Sequence, residues 1–172
     1  DTGFGIGAWT DGVRAQRFDA ADRPQWDAPL RLNESGEEDQ RDPEILPLSG
    51  GDFVAAWTTA TGASFGTLFR DVDARIFDAD GTPRTGDFRV NTFTDGGQHQ
   101  HSLARLSDGG FVVVWESQGQ DRDEGDLDEW GVFGQRFAVD GTPAGTEFRV
   151  NATIDGNQRD PAVAATPDGL AF

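Results

Sequence analysis

Six carboxylates crowd nine consecutive residues of this chain: Asp121, Asp123, Glu124, Asp126, Asp128 and Glu129. Like charges at that spacing repel one another unless a cation sits among them or salt screens them. Asp at 121 and 123, then at 126 and 128, with Gly125 for a sharp bend, is the pattern of an oxygen-donor calcium loop. Asp121, Asp123, Asp126, Asp128 and Glu129 are therefore the candidate metal ligands, and Ca2+ the candidate cofactor. The spacing is not that of an EF-hand, so a solvated acidic loop is the competing reading. Asp71 and Asp73, near Asp78 and Asp80, form a sparser acidic group. His99-Gln100-His101 has the spacing that holds zinc or copper from one strand face, with no third ligand evident. Trp130, beside the acidic loop, is the candidate exposed aromatic for ligand contact.

Other chemistries are excluded by composition. The chain has no Cys, Tyr or Lys, which removes thiol and tyrosine nucleophiles, Cys-ligated zinc, Schiff bases and a P-loop. No G-x-S-x-G motif is present. Carboxylate pairs at a glycosidase separation arise by chance in so acidic a chain, and a glycoside hydrolase is the third of the functional readings. No catalytic residue is assigned, and the chain is expected not to be an enzyme. With 31 acidic against 14 basic residues, the net charge of −17 disfavours nucleic acid and favours cations. No apolar run is long enough for membrane insertion. The absence of Met is expected of a processed chain or a piece of a longer one.

The elements that position these residues recur three times. Short apolar runs end in Trp9, Trp57 and Trp115, and read as buried strands (position b). Segments 13–18, 72–77 and 132–137 follow, ending in Phe18, Phe77 and Phe137 (position c). A turn comes next: Asp80-Gly81-Thr82-Pro83, Asp140-Gly141-Thr142-Pro143 and the weaker Ala21-Asp22-Arg23-Pro24. Alternating strands end in Asn33, Asn91 and Asn151 (position d). Gln40, Gln98 and Gln158 stand seven residues later, before segments 44–48, 102–106 and 162–165 (position a). Asp42-Pro43 and Asp160-Pro161 introduce position a, where the middle copy has Gln100-His101. The recurring Arg31, Arg89 and Arg149 are expected to tie units together, by hydrogen bonds to backbone or by pairing with the Asp of Asp-Pro.

The fold expected is all-β, with three four-stranded antiparallel units built as β-propeller-like blades, the alternative being a β-trefoil. One repeat domain spans 1–172, with units at about 1–48, 49–106 and 107–166 and another starting at 167–172. Trp9, Trp57 and Trp115 are expected at equivalent buried positions, as are Phe18, Phe77 and Phe137, and the a strand at 162–165 could clasp the b strand at 5–9 to cover an edge. Loops between b and c, on one face, vary most and are where recognition is expected.

Ser107-Asp108-Gly109-Gly110-Phe111-Val112-Val113-Val114-Trp115, then Gly134-Gln135-Arg136-Phe137, Asp140-Gly141-Thr142-Pro143 and Glu147-Phe148-Arg149-Val150-Asn151, resemble a known bacterial repeat. It is the tandem repeat of very large secreted or surface proteins of proteobacteria, which often also carry calcium-binding nonapeptide (RTX-type) repeats. The resemblance covers essentially the whole chain, most closely in the third unit. It implies an extracellular or cell-surface location and calcium chemistry nearby, although the nonapeptide motif itself is absent here. The function expected is a non-catalytic extracellular module for adhesion, spacing or assembly. Its partners would be calcium, a surface glycan or protein, or further repeats by self-association. The alternative is a carbohydrate-binding lectin using the b–c loop face.

Overall fold

The computed structural model describes residues 3–9, 12–34, 39–64, 67–121, 129–166 and 169–171, without side chains for 3–9, 61–64, 67–68 and 169. Its described elements are thirteen strands and a single-turn 3-10 segment, Ser49–Gly51. The first sheet joins β1 (Gly3–Trp9), β2 (Gly12–Phe18) and β3 (Leu30–Arg31). The second is the meander β4 (Gln40–Pro47), β5 (Phe53–Ser64), β6 (Thr67–Phe77) and β7 (Phe88–Arg89). The third repeats it with β8 (Gln98–Arg105), β9 (Phe111–Gln118), β10 (Trp130–Phe137) and β11 (Phe148–Arg149). A hairpin of β12 (Ala164–Thr166) and β13 (Gly169–Ala171) comes last. All described strand pairs are antiparallel, and each strand pairs only within its own sheet. Separate open meanders of this kind differ from the closed barrel of a trefoil. No described helix is long and apolar enough to cross a membrane.

Period-2 alternation explains how the sheets stack. In β5, Phe53, Ala55 and Trp57 face one way, and Val54 and Ala56 the other. The aromatic face of the second sheet packs on Val13, Ala15 and Leu32 of the first. The aromatic face of the third, Phe111, Val113, Trp115, Phe133 and Phe137, packs on Val54, Ala56, Val72, Ala74, Ile76 and Val90 of the second. Both junctions thus set bulky rings against smaller aliphatics, so that the facing side chains interdigitate. Phe53 stacks on Phe77 at 4.9 Å, and Phe111 on Phe137 at 5.2 Å, the same pair in each sheet.

Small devices set the register. Gly81 and Gly141 take φ of 92° and 85°, as the Asp-Gly turns require, and Asp80 and Asp140 accept the amide N–H of Thr82 and Thr142. The first unit has no Gly there, and Asp22 itself adopts φ 56°. Each a position carries a left-handed residue: Asp42, Gln100 and Asp160 have φ of 52°, 51° and 55°. In β4 and β8 this is a bulge, between Arg41 and Glu44 and between His99 and Ser102. Asn33, Asn91 and Asn151 each accept the backbone N–H at the start of the c strand, from Val13, Val72 and Val132.

Three expectations are corrected. Trp9 is not equivalent to Trp57 and Trp115. Those pair with Asp73 and Phe133, four residues before Phe77 and Phe137, whereas Arg14, four before Phe18, pairs with Gly7. Trp9 lies two residues further on, opposite Gly12, because the short connection fixes the hairpin register. Phe77 and Phe137 are buried, but Phe18 is half-buried. The expected clasp is absent from the strand pairing: β12 pairs with β13, and β1 with β2.

Candidate functional site

At the b–c loop end of the third sheet, four chemically active side chains converge, three from strands β8, β9 and β10 and one from the segment at 159–160. Glu116 near the end of β9 is buried, with a side chain 2% exposed. Its Oε1 accepts the Asp160 amide N–H at 2.6 Å. Oε2 has no hydrogen-bond partner among the described residues, but lies 3.8 Å from His99 Nδ1 and 3.9 Å from Arg159 Nη1. Burial raises the carboxyl pKa of Glu116, opposed by the Asp160 amide and Arg159. Burial and the nearby Arg70 and Arg159 lower that of His99, which favours neutral imidazole. The ring of Trp130 lies 4.7 Å from His99, and the Arg159 guanidinium sits 4.5 Å over it. Trp130 is therefore half-buried and already contacted, not the exposed aromatic expected.

A second arrangement repeats in two sheets. Asp71 is buried, accepts from Asn91 Nδ2 at 2.7 Å and faces Arg89 at 3.2 Å. Asp121 is buried likewise, bonded to Asn151 Nδ2 and to Arg149 at 2.9 Å. The two carboxylates occupy the same place from different sequence positions. Gly131 makes the second possible, since a Cβ there would lie 2.6 Å from the Asp121 Cβ. Arg89 and Arg149 thus pair with a carboxylate near the b–c turn of their own unit, not with the Asp of Asp-Pro.

No family model and no characterised protein sequence matches the chain. Among solved structures the chain is similar to an exo-1,5-α-L-arabinanase from a bovine ruminal metagenomic library. Identity is 14% and the TM-score 0.49, over 81% of this chain and 51% of that one. The chain spans about half the length of that structure. The expectation that this chain is not an enzyme is corrected on that finding, because the similar structure is one. The likeness by itself assigns no activity or substrate here.

Of the predicted ligands, Asp121 and Glu129 are among the described residues. Asp121 points inward and spends both oxygens on Arg149 and Asn151. Asp123, Asp126 and Asp128 lie outside the described residues. Glu129 is half-buried, and its carbonyl accepts the Gly119 amide at 2.8 Å. No group of three or more metal-ligating side chains occurs among the described residues. Between His99 and His101 stands a left-handed Gln100, and His101 is half-buried with both ring nitrogens shielded from solvent. Sequence reading missed Glu116, whose partners arrive from strands far apart in the chain.

Asp73 stands where the third sheet has Phe133. Burial, with Asp71 and Asp87 nearby, raises its pKa to about 6, against the pull of Arg89. A carboxyl raised in the folded state costs nothing below the unfolded value near 3.8; the cost grows as pH rises to about 6 and is full above it. Asp73→Asn is expected to stabilise the protein at pH 7 by about 2 kcal/mol and to leave it unchanged below pH ~4. Urea titrations across that range check both ends.

Proposed function

We propose that the chain is an extracellular repeat module of propeller-type blades, whose work is adhesion, spacing or assembly through head-to-tail stacking of its sheets. The observation that supports this reading is the junction used twice. Trp57 fills a pocket against Val13 and Leu32, and Trp115 the equivalent pocket against Val72 and Val90. The third sheet offers the same face again. Val114, Val132, Val150 and Pro161 line a cavity of about 310 Å3 there, partly roofed by the last hairpin, whose Leu170 packs on this sheet. A face built to receive a Trp-bearing strand suits continued stacking, and stacked units give a long or closed body with its variable loops on one side. The extracellular placement rests on the repeat resemblance, and the absence of Cys does not exclude it.

The test is a chain in which residues 107–151 are copied after Thr166, completing a fourth sheet. The copied unit is expected to fold in one transition with the rest and to raise the urea midpoint. Changing its Trp, the copy of Trp115, to Ala should abolish the gain. A copied unit that melts separately, with no change in the remainder, would sink the stacking reading.

A further inference from the structure

The two sheet junctions differ in one feature, which points to a binding site. At the first junction Arg75 is 12% exposed and its guanidinium is fully engaged. Nε donates to the Thr85 carbonyl at 3.0 Å, Nη1 to the Leu32 carbonyl at 3.3 Å and Nη2 to Glu34 at 2.9 Å. Asp87 adds a carboxylate 3.8 Å away. Arg75 stands two residues before Phe77; the residue two before Phe137 is Gln135. Gln135 reaches only its own unit, donating to the carbonyls of Arg136 and Gly145. Its shorter side chain leaves a surface cavity of about 490 Å3 at the second junction.

The walls of that cavity are the counterparts of the Arg75 partners. Val90 stands for Leu32, Thr92 for Glu34, Gly145 for Thr85 and Glu147 for Asp87. Glu147 is half-buried and held in place, accepting from the Thr92 amide at 2.7 Å, the Thr92 hydroxyl and Gln120. Two donors on one oxygen and one on the other leave a carboxylate with acceptor capacity. Arg89, also in the wall, is drawn to Asp71 at 3.2 Å. It does not forbid a second cation, because Arg31 occupies the same repeat position and acts with Arg75 on Asp87.

We propose that the cavity between Val90, Thr92, Gln135, Gly145 and Glu147 binds a guanidinium group, supplied by an arginine side chain of another polypeptide. The planar fork of arginine fits a carboxylate flanked by carbonyls, as Arg75 does in the same fold, and an ammonium reproduces neither its reach nor its geometry. The net charge of −17 draws cationic partners toward the site.

Calorimetric titration tests this with N-acetyl-L-argininamide, N-acetyl-L-lysinamide and free L-arginine. The capped arginine is expected to saturate with roughly millimolar Kd, and the capped lysine to bind at least about tenfold more weakly. Gln135→Arg supplies the guanidinium internally. That variant should melt about 2–4 °C higher and lose binding of the capped arginine. Glu147→Gln, which keeps the hydrogen-bonding shape, should weaken binding about tenfold or more. Unsaturable binding to the wild-type chain, equal binding of the lysine compound, or undiminished binding to a folded Gln135→Arg overturns the site. Tighter binding of free L-arginine than of the capped amide overturns the polypeptide source.

Discussion

Trp115→Ala is expected to destabilise the protein by about 3–5 kcal/mol, the range for emptying a large aromatic site in a packed core. Trp115 is fully buried and lies among Val72, Ala74, Val90 and Phe133 at the junction of two sheets. Deleting the ring leaves a hole that two rigid sheets cannot close, so the loss combines transfer and cavity costs. Against a marginal total of about 5–15 kcal/mol, the change removes a large share of the stability. Trp57→Ala should cost a similar amount, because Trp57 is buried in the equivalent junction. Trp130→Ala should cost about 1–2 kcal/mol, since that ring is half-buried and lies against only His99 and Arg159 among the described ring and cation contacts. Urea unfolding followed by far-ultraviolet circular dichroism checks all three. Equal costs at Trp115 and Trp130 would remove the distinction between junction and loop-end aromatics.

His101→Pro is expected to stabilise the protein at pH 5 by about 2 kcal/mol relative to its effect at pH 7. Burial holds the folded imidazole pKa at about 4, against an ordinary value of 6.5, with the Ala56 backbone and Asp42 opposing and His99 adding to the shift. The unfolded chain therefore binds more protons between pH 6.5 and 4, and the folded state loses stability as pH falls through that window. Above pH 6.5 the residue is neutral in both states and costs nothing of this kind. Proline suits the backbone, because Pro43 and Pro161 occupy the same repeat position, each after an Asp with the left-handed φ that Gln100 shares. Denaturation midpoints of wild type and variant at pH 5 and pH 7 decide it, above the isoelectric point of about 4.2. Equal pH slopes would mean that His101 is solvated. Asp73 opposes this trend, since its cost rises with pH, so its Asn variant should steepen the acid-side loss.

Two groups of residues show how far the chain could be read directly. The repeated Trp, Phe, Asp-Gly-Thr-Pro and Asn positions established strands, turns and an all-β class, because each acts on its nearest neighbours. Period-2 burial needs only the local pattern, and an Asp-Gly turn needs only its own four residues. The Asp-Pro dipeptide at 42–43 and 160–161 was equally visible as a repeat, although the left-handed φ of its Asp was not. The position of Trp9 was not readable, since motif similarity says nothing of a two-residue slide in a hairpin whose register is set by its connection.

The site residues belong to the other group. Glu116 follows Trp115 and looked like any strand-end acid, but it becomes a buried charge because His99 and residues 159–160 arrive from two other strand positions. Asp121 looked like the first ligand of a cation loop, yet the fold turns it onto Arg149 and Asn151, about thirty residues away. Arg75 and Gln135 occupy one repeat position, and only the stacked sheets turn that substitution into a filled junction and an open one. Strand formation is decided by short-range alternation, which a sequence displays. Which carboxylate is buried, paired or left facing a cavity is decided by long-range packing and the dielectric it creates, and those exist only once the sheets have come together.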